Sequence, residues 1–128
     1  ATQQVTSRRQ IAEELVEVVD SKFFQTLGEP VRVLLLKFLL LNGRSDIGTI
    51  AEYMPQDRSV ISRHLNLMHE AGIVTCEKES RYMYYDVNAT EFLGKVENIA
   101  EKYAPVFRSA ARAVVNRKSR KYMDKITC

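Results

Sequence analysis

Apolar residues return at helical spacing along most of the chain, and the interruptions divide it into an ordered set of elements. Ile11, Leu15, Val18, Val19 and Phe23 recur three and four positions apart, with Glu13, Glu14 and Glu17 between them. That spacing predicts an amphipathic helix from Arg9 to near Gly28. Pro30 suits the first turn of a second helix. The stretch "VRVLLLKFLLLNG" after it is apolar on nearly all sides, and Gly43 closes it. A helix so evenly apolar is expected at the centre of a small core. Ile47, Ile50, Ala51 and Met54 mark a short third helix that Pro55 ends. A fourth runs from Asp57 to Gly72, with Asp57 expected to cap it by accepting the N–H of Val60 or a neighbour. "IVTCEKE" and "RYMYYDV" are rich in Val, Ile and Tyr and predict a β-hairpin with Glu79-Ser80 at its tip. Helical periodicity returns from Asn88, where Phe92, Val96, Ile99, Tyr103, Val106 and Phe107 form a stripe and Pro105 is a point for a kink.

The expected fold is therefore mainly α with a small β-hairpin, in the order α-α-α-α-β-β-α. Three compact helices followed by a hairpin describe a winged helix-turn-helix. The first and last helices are surplus to such a core, and their apolar stripes need burial. A second subunit is the simplest source, which predicts a homodimer built through those two helices. The expected organisation is a flexible N-terminus over residues 1–8, a single winged-helix domain with its dimerisation helices over 9–118, and a basic C-terminal tail over 119–128.

Composition narrows the picture only a little. The 128 residues carry 19 Lys and Arg against 16 Asp and Glu, a mild bias towards anionic partners. The longest apolar run, Val33 to Leu41, is broken by Lys37 and falls well short of the ~20 residues that span a membrane. "ATQQVTSRRQ" lacks the apolar stretch of a signal peptide, so a cytoplasmic location without membrane contact is expected. Two cysteines, Cys76 and Cys128, make no disulfide framework. A glycine-rich phosphate loop, a metal cluster and a plausible acid–base pair are all missing from the sequence, which argues against an enzyme.

The fourth helix carries the candidate chemistry. With 100° per residue, Ile61, Leu65 and Met68 fall within about 60° of one another and form a buried stripe. Ser59, Ser62, Arg63, Asn66 and Glu70 gather opposite. A surface needing only solubility more usually offers Glu and Lys. Ser, Arg and Asn suit base edges and phosphates, and a helix fits the major groove of B-DNA. Arg63 could bond two guanine acceptors, Asn66 could pair with adenine, and Ser59 and Ser62 could serve a base or a phosphate. Arg58 stands near the helix start, which itself favours a phosphate. Each residue taken singly also fits an ordinary solvated helix surface. His64 lies beside the buried stripe, where a half-buried hydrogen-bonding role suits it better than general-base catalysis; Ser62 points elsewhere and forms no nucleophile–base pair with it.

Three segments then carry a family resemblance. "LGEPVRVLLLKFLL" at 27–40 resembles the opening "L-x-x-P-x-R-x-x-I-L" of the ArsR/SmtB family of bacterial winged-helix repressors. "SVISRHLNLMHEAGIV" at 59–74 resembles its "S-T-V-S-x-H-L-x-x-L-x-x-A-G-L-V", and "RYMYYDVN" at 81–88 is similar to its second wing strand. The resemblance implies a homodimer on double-stranded operator DNA, each recognition helix entering one half-site of an inverted repeat. It places Ser59, Ser62, Arg63 and His64 on the DNA-reading helix, and Lys78 and Arg81 on the wing. It also implies release of the DNA by an inducer. The sequence departs from the pattern at Met54-Pro55-Gln56-Asp57, which replaces a common "L-G-L-S" turn, and at Arg58 and Val60, which replace a usual Gln and Thr. These changes bear on which operator is read.

The sensor is less legible. Family members that bind soft metals do so through a Cys-x-Cys motif in the third-helix region, and "GRSDIGTIAEYM" holds no cysteine. Others bind zinc through Asp and His on the last helix, and residues 89–118 hold no histidine. No metal or other cofactor is expected. Cys76 and Cys128 remain as candidates for sensing an oxidant or thiophilic species, against the plainer reading of two ordinary thiols. A small organic inducer in a dimer pocket, or none, is also compatible. The alternative to a repressor is a winged-helix protein-interaction or scaffold dimer without specific DNA binding.

Overall fold

The computed structural model describes residues 2–127, with side chains for residues 8–121. The element order is α1 (Thr2–Val19), α2 (Lys22–Leu27), α3 (Pro30–Asn42), β1 (Ser45–Asp46), α4 (Ile47–Glu52), α5 (Arg58–Glu70), β2 (Val74–Glu79), β3 (Tyr82–Val87) and α6 (Ala89–Thr127). The chain forms two compact units, Ala1–Gly94 and Lys95–Cys128. The expected mainly α architecture with a hairpin is present, with two additions.

First, the helix expected from Arg9 to Gly28 is two helices. The chain turns at Asp20-Ser21, where Ser21 is extended (φ −65°, ψ 157°) and starts α2. Asp and Ser compete with helical backbone bonding through their short polar side chains. Here Asp20 Oδ1 accepts a 2.6 Å hydrogen bond from Gln25 Nε2 across the break. The turn buries Phe23, whose ring meets Phe24 and Phe92 edge-on at 5.1 and 5.3 Å. Second, a two-residue strand, β1, adds to the hairpin, giving a three-stranded antiparallel sheet in the order β1-β3-β2. Ser45 pairs with Tyr85 and Asp46 with Tyr84. Two residues are too few to leave a period in the sequence.

The helix boundaries have identifiable causes. Glu29 Oε2 accepts the N–H groups of Val31 and Arg32 at 2.9 and 3.2 Å, capping α3, and Pro30 occupies its first turn. Gly43 ends it at φ +75°. Gly72 ends α5 at φ +84°, and the Ile73 N–H reaches back to the Met68 carbonyl at 2.9 Å. This is a six-residue C-terminal wrap that needs a left-handed residue before the buried Ile73. Asp57 stands at the start of α5, but its side chain makes no capping bond, contrary to expectation. Asn88 does cap α6, its Oδ1 accepting from the Glu91 N–H at 3.4 Å.

The hairpin registers Cys76 opposite Tyr85 and Glu79 opposite Tyr82, so the tip is Ser80-Arg81 rather than Glu79-Ser80. Ser80 takes φ +59°, the left-handed conformation a two-residue hairpin turn demands at its first position.

The core of the first unit joins Phe23, Leu35, Leu39, Ile50, Ile61, Leu65, Met68, Ile73, Val74 and Tyr85. The even greasiness of α3 does not place it at the centre. Only Leu35 and Leu39 are buried, while Val33, Leu34, Leu40 and Leu41 stay exposed. A helix that lies on one side of a small core can bury one face only.

In the second unit, α6 runs through Pro105 and through the segment expected as a tail, to Thr127. α1 likewise takes in most of the segment expected to be flexible. Val96, Phe107, Val114 and Val115 are exposed on α6, as are Val16 and Val19 on α1.

Candidate nucleic-acid interface

The geometry of α5 follows from its buried stripe. Ile61, Leu65 and Met68 are fully enclosed, which turns the opposite side outward. Ser59, Arg63 and Asn66 are exposed there and Ser62 is half-buried, while Arg58 is exposed on the flank of the buried stripe, ~20° from Leu65 around the helix. The wing adds Lys78 on β2 and Arg81 at the tip, both exposed. Arg58 folds back towards α4: its two guanidinium nitrogens lie 3.9 Å from where a Cβ on Gly48 would stand. The neighbouring Asp46 accepts a hydrogen bond from the Thr49 hydroxyl, which holds its carboxyl below the usual range.

His64 is placed differently from the rest. Its side chain is 17% exposed, with Nδ1 facing the α2–α3 junction. Arg32 Nε donates to Nδ1 at 3.2 Å, and Arg32 Nη1 donates to the Thr26 carbonyl at 2.8 Å. Glu29 Oε2, which caps α3, lies 4.0 Å from the same Nδ1. A guanidinium carries no acceptor and keeps its proton, so Nδ1 must accept. The neutral imidazole then carries its proton on Nε2. This network joins two of the sequence motifs, Pro30-x-Arg32 and Ser62-x-His64-Leu65, and locks α5 to the start of α3.

Asn66 is also engaged. Its Oδ1 accepts from the Tyr85 hydroxyl at 3.3 Å, which fixes the orientation of the amide. Tyr85 is buried opposite Cys76 on the hairpin. Burial and a hydrogen bond with Cys76 push its phenol up to about 12. Cys76 is a half-buried free thiol. Cys128 lies outside the described residues.

Sequence reasoning passed over the residue that steadies the wing. Arg44, between α3 and β1, meets Glu79 at 2.7 Å and Glu77 at 3.5 Å, and its guanidinium sits 3.9 Å from the centroid of the Tyr84 ring. The hydrogen bond to Glu79 and the two carboxylate charges hold the guanidinium above its ordinary range. The alternation Glu77-Lys78-Glu79 was the available signal. Two acids on one face of a strand expected to meet phosphate call for a cation. At the tip, Arg81 Nη2 donates to the Tyr82 hydroxyl at 3.0 Å, and its guanidinium stands 5.2 Å from that ring. Among the described residues, no group of three or more His, Cys, Asp or Glu is placed to hold a metal ion. No helix there is long and apolar enough to cross a membrane.

An exposed Ser/Arg/Asn helix face next to a hairpin that presents Lys78 and Arg81 and is braced by Arg44 is an arrangement suited to a duplex. The family model described as "Bacterial regulatory protein, arsR family" matches residues 29–75, which hold α3, α4, α5 and the start of β2. An HTH-type transcriptional regulator of Methanocaldococcus jannaschii is 34% identical over 65 residues, 51% of this chain and 73% of its own length. The transcriptional repressor SdpR of Bacillus subtilis is 31% identical over 67 residues, 52% of this chain and 73% of its own. Among solved structures, a possible transcriptional regulator for arsenical resistance superposes with a TM-score of 0.56 at 28% identity, covering 72% of this chain and 95% of that one. The chain belongs to the ArsR/SmtB-like family of winged helix-turn-helix transcriptional regulators, DNA-binding proteins that are not enzymes.

Proposed function

We propose that this chain is a sequence-specific repressor that binds an inverted-repeat operator as a homodimer and works in the cytoplasm. The observation that carries the reading is the outward face of α5, with Ser59, Arg63 and Asn66 exposed opposite a fully enclosed Ile61–Leu65–Met68 stripe. Arg63 is the candidate for a bidentate guanine contact and Asn66, held by Tyr85, for adenine. Ser59 and Ser62 serve bases or phosphates, and Arg58, Lys78 and Arg81 serve phosphates. His64 takes part through its Nε2–H, with Nδ1 given to Arg32. The exposed valines of α1 and the exposed Val96 and Phe107 of α6 supply apolar surface for the second subunit. Repression is the activity named for the Bacillus subtilis relative.

Inducer release is assigned here to a thiol reaction at Cys76, because it stands next to Tyr85, which holds Asn66. A bulky adduct or bridge at that sulfur disturbs a side chain of the reading face. A second reading draws on the exposed Val33, Leu34, Leu40 and Leu41 of α3: a scaffold dimer that recruits a protein and binds no specific DNA.

The test is titration of the full chain with duplex from its own upstream region and with a scrambled duplex, over a salt series, in reduced and oxidised samples. Preference for the upstream duplex, lost on oxidation and retained by Cys76→Ser, supports a repressor that senses through this thiol. Preference indifferent to oxidation removes Cys76 as sensor. Affinity for neither duplex, with no sequence enriched from a random pool, favours the scaffold.

A further inference from the structure

The charge of the chain is unevenly placed. Seven of the 19 Lys and Arg, but one of the 16 Asp and Glu, fall in residues 108–128. The remaining 107 residues therefore carry a formal −3 and these 21 carry +6. The winged-helix part is net acidic, and the cationic field of the chain comes from the far half of α6. Within residues 108–121 stand Arg108, Arg112, Arg117, Lys118, Arg120 and Lys121, without one acid. All are exposed, and no ion pair is formed by any of them among the described residues.

Resting on the DNA-binding reading of α5, we propose that residues 108–121 form a second, sequence-independent contact with the phosphate backbone of duplex DNA. The six cations occupy about 21 Å of helix at ~1.5 Å per residue. A duplex offers one negative charge per ~1.7 Å of its axis. Val114, Arg117, Lys118 and Lys121 are spaced i, i+3, i+4 and i+7 and share one side of the helix. With Arg120 they line a shallow groove. Arg117–Lys121, Lys118–Lys121 and Arg117–Arg120 are like-charged neighbours at helical spacing and repel one another along the helix. An anionic surface laid along the helix turns that repulsion into attraction and releases condensed counterions.

Two other partners fit less well. Residues 108–121 offer Ala and Val but no large aromatic or Leu to enter a lipid surface. The acidic face of α1 on a second copy is already partly satisfied: Glu13 pairs with Arg9 at 3.3 Å and Glu14 accepts from Gln10 at 3.2 Å.

The test compares the full chain with the variant R117Q/K118Q/R120Q/K121Q, reading affinity for a preferred and a random duplex against salt. Glutamine keeps helix propensity, and circular dichroism checks the fold. The slope of log affinity against log salt is expected to shrink by ~0.9 for each phosphate that the variant no longer neutralises. Affinity should fall by the same factor on both duplexes, leaving their ratio unchanged. R117K/R120K should keep the wild-type slope. A wild-type slope in the glutamine variant overturns the inference. So does a dimer that dissociates on neutralisation with its DNA slope intact, or loss of anionic-vesicle binding alone. A wild type without sequence preference, whose slope on random duplex still falls in the variant, removes the operator reading and keeps this contact.

Discussion

Arg32 Nε donates to His64 Nδ1 across 3.2 Å although 32 positions separate the residues. The bond sets the tautomer of the histidine and holds the recognition helix against the start of α3. Replacing Arg32 with Gln removes the fixed guanidinium that bridges His64 and the Thr26 carbonyl. Loss of a half-buried charged hydrogen bond is expected to cost about 1–3 kcal/mol of stability, read from the denaturant midpoint. Affinity for a preferred duplex should fall more than for random duplex, with the salt slope unchanged, because every phosphate-binding cation is still in place. Nitrogen NMR of the wild type should find the His64 proton on Nε2. A proton on Nδ1 would rule out the network.

The wing depends on Arg44 for its electrostatics as well as its placement. Arg44→Gln leaves Glu77 and Glu79 without their cation. The ion pairs are partly exposed, so stability should change little, read from the denaturant midpoint. Duplex affinity should nevertheless drop several-fold at low salt and recover relative to wild type as salt screens the two carboxylates. Equal loss at all salt concentrations would mean that Arg44 acts through wing geometry alone.

Tyr85 predicts a signature at high pH. Its phenol is pushed up to about 12 from an ordinary 10 chiefly by burial, so the fold prefers the neutral form. The stability this lends is whole below pH 10 and is lost as pH rises from 10 towards about 12, where the unfolded chain ionises first. The difference in unfolding free energy between wild type and Tyr85→Phe should therefore shrink over that window, by an amount on the order of 2 kcal/mol. Urea titrations at a series of pH values measure it. A constant difference would place the hydroxyl in contact with water.

Much of this was legible because local signals and burial agreed. Pro30 and Gly43 bracket α3, Gly72 ends α5, and the Ile61–Leu65–Met68 period names the enclosed face. The break at Asp20-Ser21 was hidden because both residues also suit a solvated helix surface, and only the burial of Phe23 requires a turn there. The period of α3 could not say that Leu40 and Leu41 stay exposed, since apolarity states a need for burial and not where it is met. In the site, exposure of Arg63 and Ser59 follows from the helical wheel. The bonds Arg32–His64, Arg44–Glu79 and Tyr85–Asn66 join residues 32, 35 and 19 positions apart, and no local pattern encodes them.

The central claim is that the outward face of α5 reads bases. Enrichment of duplexes from a random library by the full chain, repeated with Arg63→Ala, tests it most directly. The enriched pool should hold an inverted repeat with half-sites about one helical turn, ~10 bp, apart. Arg63→Ala should lose selection at one guanine per half-site, with a penalty of about 1–3 kcal/mol there. An unenriched pool, or an Arg63→Ala variant that selects the same guanine as strongly, would contradict it.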